Sequence, residues 1–269
     1  MKEPEKLRSM VIQANGMLPF EVYRDLYDLA AQFPGDTIVE IGTAHGAGTI
    51  SLCLGALSAG KQPKVFTVDR FEGRYSSRSA YGDVRDNLEI VRNNFRDSGI
   101  GEHIKIFAGS SSDFAVQQCP DVIDILVLDA DGRIDRDLIN FASKLSPHAA
   151  IVIDDYDHRV SLSSRPDGST YVDLKHVITK RLLDRYVAEG LIDIVNVQKS
   201  TAFCRKAEGA EWDVDKMADM ALECYRELVF TDIDRIALFR WLRKRVKANV
   251  PPWLMQRLRN YRARQVPAH

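Results

Sequence analysis

Two apolar runs of this 269-residue chain end in carboxylates. The first, Asp124-Ile125-Leu126-Val127-Leu128-Asp129, is followed by Ala130 and Asp131; the second, Ala149-Ala150-Ile151-Val152-Ile153, runs into Asp154-Asp155. Short runs of branched aliphatic residues read as strands buried on both faces. In open α/β sheets, ligands bind just outside the carboxyl ends of such strands. Carboxylates gathered there repel one another unless a positive charge lies among them. A hard divalent cation with oxygen ligands meets that need, and Mg²⁺ keeping some of its waters is the usual one. The competing reading of Asp154-Asp155 is a strand-end turn. His158 stands just past the pair, where a loop histidine is either a solvated residue or a proton acceptor.

A second constellation lies upstream. Thr37-Ile38-Val39-Glu40-Ile41 breaks into Gly42, Gly46 and Gly48, and a helical pattern follows through Ile50, Leu52, Leu54 and Leu57. Strand, glycine turn and helix start form a nucleotide-cofactor site, because glycines admit a ligand to the backbone and the helix start offers free N–H groups. The dinucleotide fingerprint G-x-G-x-x-G fails here, since its middle glycine would fall on Ala44. Val65-Phe66-Thr67-Val68-Asp69 then brings a carboxylate 27 positions after Gly42. At the end of the second strand of a β-α-β unit it can accept ribose hydroxyls, which indicates a nucleoside without choosing among cofactors. Lys105 to Phe114 reads as a strand followed by the polar turn Ser110-Ser111-Ser112.

The pattern E-x-G-x-x-x-G-x-G-T over 40–49 resembles the first motif of class I S-adenosylmethionine (SAM) methyltransferases, whose turn passes the methionine part of the cofactor. The two acidic strand tips resemble those of the metal-dependent O-methyltransferases: catechol O-methyltransferase, the caffeoyl-CoA enzymes and the macrocin type of antibiotic-sugar methyltransferase. The resemblance spans roughly residues 15–206. It implies SAM bound by Glu40, Gly42, Gly46, Gly48, Asp69, Ser111, Ser112 and Asp129, with the serine turn against adenine. It also implies a divalent ion on Asp129, Asp154 and Asp155. Catechol O-methyltransferase carries a general-base lysine three positions after its first metal aspartate, where this chain has Gly132. The sugar branch has Asp-x-Asp, matched by Asp129-Ala130-Asp131, so Asp131 is the expected base and His158 the reserve. The implied reaction moves the SAM methyl group to a hydroxyl of a small molecule or glycan, with a diol acceptor chelating the ion.

Positioning these groups requires a Rossmann-like α/β fold. The expectation is a seven-stranded, mostly parallel sheet with an antiparallel last strand, helices on both faces and a helical C-terminal appendage. Helices are expected at Phe20–Phe33, stopped by Pro34-Gly35, at 85–97 and at Asp173–Glu189. Ile192–Gln198 and Thr201–Arg205 should pair antiparallel through Lys199-Ser200. Met17 to Phe20 should help close the cofactor site. Residues 71–84 are expected as a mobile rim loop and 157–172 as a loop touching the acceptor. The implied parts are an N-terminal helical segment 1–34, a SAM-binding domain 35–206 and a basic helical extension 207–269.

The chain is 45% hydrophobic and 28% charged, enough to bury a full core. It has no apolar run long enough to span a membrane, and its start lacks the apolar segment of a signal peptide. Cys53, Cys119, Cys204 and Cys224 lie scattered, without metal spacing, and read as reduced thiols of a cytoplasmic protein. From Arg235 to His269 there are ten Lys/Arg and no Asp/Glu. Interleaved with Leu238, Phe239, Trp241 and Leu242, residues 235–264 suit peripheral contact with anionic lipid at the inner membrane surface. The alternative is packing on the core or in a homo-oligomer. Nucleic acid is disfavoured, because the remainder of the chain is acidic. Two further readings stay open: a metal-independent methyltransferase in which Asp154-Asp155 bind amines or hold the turn, and a non-catalytic SAM-binding protein acting through its tail.

Overall fold

A computed structural model describes residues 3–72, 87–164 and 170–232. The chain opens with α1 (Glu3–Gln13) and α2 (Phe20–Gln32). Val22, Tyr23, Leu26 and Ala30 form the buried stripe of α2, which stops where Phe33 turns extended before Pro34. Lys61 caps that end, its Nζ donating to the Ala30 carbonyl at 2.7 Å and to that of Phe33.

Alternation of strand and helix follows: β1 (Thr37–Ile41), α3 (Ala47–Ser58), β2 (Lys64–Asp69), α4 (Asn87–Asp97), β3 (Ile104–Ala108), α5 (Ser111–Gln117), β4 (Ile123–Leu128), α6 (Ile134–Phe141) and β5 (Leu145–Ile153). A hairpin of β6 (Ser161–Ser164) and β7 (Thr170–Asp173) precedes α7 (Lys175–Ala188), β8 (Ile192–Gln198), β9 (Thr201–Lys206) and α8 (Val214–Glu227). The main sheet has seven strands in the order β3-β2-β1-β4-β5-β9-β8. β1 to β5 are parallel, and β9 runs antiparallel to both of its neighbours. The chain reverses at Lys199, whose φ is 60°, so the expected pairing of the last two strands and the fold class both hold. The strand order switches direction between β1 and β4, and their carboxyl ends are therefore the place for a ligand.

One segment departs from expectation. Residues 157–172 hold β6 and β7, with Leu162 opposite Val172, where an aperiodic loop was expected. Leu162, Tyr171 and Val172 are all exposed, so the pair has no buried face to print a period-two pattern on the sequence. From residue 73 on, the expected rim loop lies outside the described residues, as does the basic segment 235–264. Compact contacts divide the chain into Met1–Ala221 and Leu222–His269. In the second unit the described part is the end of α8 and the turn Leu228–Asp232, with Leu222, Val229 and Phe230 exposed. All four cysteines are free. Among the described residues no helix is long and apolar enough to cross a membrane.

Candidate functional site

The glycine turn is shaped first by the protein's own atoms. Gly42 has φ 100°, and a Cβ there would lie 1.8 Å from the Asp129 carbonyl oxygen at the tip of β4. Gly42→Ala is therefore expected to destabilise the fold by about 3 kcal/mol or more, through a backbone clash and a strained φ together. Thermal unfolding without cofactor measures it, and an unchanged melting temperature would return Gly42 to a purely ligand-facing role. At Gly48 a Cβ would lie 2.1 Å from Glu40 Oε1, so this glycine lets the Glu40 side chain cross the start of α3. Gly46, the residue before α3, has a left-handed backbone.

Glu40 is buried and accepts hydrogen bonds from the hydroxyls of Thr49 and, at 3.2 Å, Thr67. Burial raises its pKa; the two threonine hydrogen bonds oppose it and the Asp69 charge adds to it, leaving the carboxyl at about 7. Asp69, at the end of β2, holds the turn from outside. Its Oδ2 accepts from the Ala44 amide at 3.0 Å and its Oδ1 from the Phe71 amide at 2.9 Å.

Two cavities meet at Met17, Gly42, Ala44 and Asp129. The narrower one is lined by Asn15, Glu40, His45 and Asp154. The larger, of about 500 Å³, runs from Asp69, Ser110 and Ser111 to Asp131, Arg136 and Lys175, a size usual for small-molecule sites. Of the serine turn, Ser111 lines the larger cavity and its hydroxyl donates to Asp137 Oδ1 at 2.5 Å, while Ser112 is exposed, accepts from Asn140 at 3.3 Å and lines neither cavity. Ser110, the first serine of the turn, lines the larger cavity and caps α5 by accepting from the Asp113 amide.

The acids of the strand tips converge. One oxygen each of Asp129, Asp154 and Asp155 lie within 4.8 Å of one another. Parallel pairing aligns the ends of β4 and β5, and the Asp154 amide donates to the Leu128 carbonyl at 3.0 Å. Asp155, at φ 63°, turns left-handed just beyond β5, a conformation aspartate tolerates better than most residues. Burial raises the Asp129 pKa well above the usual carboxylate range; the charges of Asp154 and Asp155 add to this and Lys175 opposes it. Asp154 is raised chiefly by burial, against a hydrogen bond from Thr201 Oγ1 at 2.6 Å. The trio fits a divalent cation on two counts. Its donors are all oxygen, the set a hard ion takes. In addition, Thr179 Oγ1 is fully buried without a hydrogen-bond partner and lines, together with the three acids, a third and smaller cavity. An orphaned buried hydroxyl lining the same cavity as three carboxylates is compatible with an ion or a water there.

Asp131 lines the large cavity but is tied down. Arg136 donates to both of its oxygens, at 3.0 and 3.1 Å. Partial burial acts to raise its pKa, but the Arg136 hydrogen bond and charge win and hold it below the usual range. Such a carboxylate is a weak base, which weighs against the role expected for Asp131. His158 is exposed, lines neither cavity, and no hydrogen bond or ion pair among the described residues ties it to the trio. The histidine that reaches the acids is His176, buried, with Nε2 3.2 Å from Asp155 Oδ1. Lys175, Thr179 and Thr201 escaped sequence reading, because nothing in a helix pattern says which face will meet a strand tip.

Strand order, switch point and glycine turn now stand together. The fold is that of the class I methyltransferases. Residues 39–156, from β1 to just past Asp155, match the family model described as a methyltransferase domain, and the chain resembles those enzymes in sequence over that stretch. A comparison with curated proteins finds no match. Among solved structures, a cofactor-bound protein from MTB aligns at TM-score 0.55 and 19% identity, over 76% of this chain and 91% of that one. TomG from Streptomyces achromogenes, an O-methyltransferase involved in tomaymycin synthesis and solved with SAM, aligns at 0.54 and 16%, over 77% and 92%. An O-methyltransferase from Bacillus cereus in complex with SAH gives 0.55 and 16%, over 76% and 91%.

Proposed function

We propose that this chain is a SAM-dependent O-methyltransferase acting on a hydroxyl of a small molecule or sugar, with a divalent cation on Asp129, Asp154 and Asp155 orienting a diol acceptor. The observation that carries it is the acidic trio, with the orphaned Thr179 hydroxyl, adjoining the cavity whose other end is the Asp69 and Ser110-Ser111 turn. The O-methyltransferase relatives solved with SAM and SAH support the choice of cofactor.

In this reading SAM contributes an electrophilic methyl on a sulfonium, and a divalent ion lowers the pKa of a coordinated hydroxyl. The chain's own part is placement. Asp69 and the turn from Gly42 to Gly48 hold the nucleoside and methionine ends of the cofactor, and Asp129 borders both cavities. The trio would hold the ion that orients the acceptor oxygens, and holding two reactants in line gives effective molarities of about 10⁵ M or more. Asp131 anchors Arg136 where both line the large cavity, which leaves the carboxylate a poor proton acceptor. Asp131→Asn should therefore lower kcat by less than about tenfold, well short of the roughly 10²–10⁴-fold loss expected for a general base. A loss of the larger size would restore Asp131 as the base.

The test of the whole reading is a panel of catechols and sugar diols incubated with SAM. Methylated product should form, vanish in excess chelator and return with Mg²⁺. Full turnover in chelator would reject the metal, and SAM binding without turnover on any acceptor would favour a non-catalytic protein.

A further inference from the structure

Asp155 already has a protein partner on each oxygen. Lys175 Nζ lies 2.6 Å from its Oδ2, and His176 Nε2 lies 3.2 Å from its Oδ1. Asp155 itself is only 5% exposed, so these two partners meet it away from bulk water. Lys175 is the first residue of α7. A helix N-terminus disfavours a cation there, so the lysine is held in place by the acids and not by its helix.

Gly132 makes the room. A Cβ at this position would sit 2.9 Å from Lys175 Cβ and 3.0 Å from its Cα. Any larger residue two positions after Ala130 would therefore push α7 and its lysine off the trio. Thr179, one turn along the same helix face, lines the small cavity behind the acids. Lys175 lines the large one and is 33% exposed at its side chain, which gives the ammonium somewhere to go.

We propose that Lys175 is a built-in counter-cation of the Asp129, Asp154 and Asp155 trio, and that it competes with a divalent ion for that position. An ammonium held on Asp155 Oδ2 opposes a divalent ion on the same carboxylate, because the two positive charges would lie a few ångströms apart. Loading the site is therefore opposed by the Lys175–Asp155 pair, and is favoured when the pair opens and the side chain moves into the large cavity that Lys175 lines. The lysine thus weakens metal affinity while keeping the metal-free acids compensated. This inference rests on the metal reading above and adds an internal competitor to it.

Titration of the full chain with Mn²⁺, without SAM or acceptor, tests it by calorimetry or by the free-ion electron spin resonance signal. Lys175→Met should bind Mn²⁺ roughly tenfold tighter than wild type or better. It should also melt at lower temperature without metal, the deficit being made up by saturating Mn²⁺. Lys175→Gln keeps a donor for Asp155 without the charge and should also bind tighter, which covers the case in which the methionine variant does not fold. Equal affinity in wild type and both variants would overturn the competition and leave the metal site standing. Weaker binding in the variants would overturn it too, making Lys175 a support of the site. Absence of Mn²⁺ binding by all three proteins would remove the metal reading and this inference together.

Discussion

Asp154→Asn is expected to cost metal-dependent turnover on the order of 10³-fold while moving SAM affinity by less than about threefold; a ligand to a Lewis-acid ion supports several kcal/mol of the barrier, and each 1.36 kcal/mol is tenfold. Asp154 is the informative member of the trio. It is buried, its Oδ1 already accepts from Thr201, and asparagine preserves its shape and that hydrogen bond. The metal-free protein should not lose stability from the change, because it removes one of three charges that repel one another. A structural role would predict the reverse, with a lower melting temperature and a proportionate loss of every function. Activity of the variant should also be indifferent to chelator. If the wild type turns over unimpaired in chelator, the acids are a strand-end turn and the ion is not part of the reaction.

Much of the fold was legible because the strands announce themselves. β1, β4 and β5 are buried on both faces, so their aliphatic runs survive any neighbour, and each ends in an acid or glycine that marks its tip. The last two strands were legible from a two-residue turn between them, which restricts the pair to a hairpin. The exposed β6–β7 pair was not, because no core imprinted a pattern on it. The strand tips were therefore found, and with them the acidic trio.

What sequence could not supply was everything that reaches the tips from elsewhere. Lys175, His176 and Thr179 come from a helix after β7, and Thr201 from the strand beyond. Their positions depend on how α7 docks, which is a matter of packing and not of local spacing. For the same reason the offset logic stopped at Gly132. Counting along the chain finds no lysine there, whereas the folded chain sets Lys175 against that very glycine. Asp131 is the opposite case: its spacing is right, and the contact that spacing could not show is Arg136, five residues on, which donates to both of its oxygens.

The second large effect belongs to Glu40. Its carboxyl is pushed up to about 7, mainly by burial, which favours the protonated form in the cofactor-free protein. If SAM brings positive charge to the turn that Glu40 lines, the bound state favours the ionised form. Affinity should then be constant above about pH 7.5 and fall below 7, approaching tenfold per pH unit. Glu40→Gln should abolish this slope and bind SAM as weakly at pH 8 as the wild type does in acid. Stability should move the other way. A folded pKa above the unfolded value of 4.5 adds stability that is complete below that value and is lost as pH rises through 7. The loss amounts to about 3 kcal/mol for a shift of this size. Glutamine can still accept from Thr49 and Thr67 without any ionisation cost. The variant should therefore melt higher than wild type at pH 8 without cofactor, and the two should converge near pH 4.5. Calorimetric SAM titrations and melting curves across pH 5–8.5 read both effects. A pH-independent wild-type affinity, or a variant no more stable at pH 8, would show that Glu40 stays ionised and serves only to hold the turn.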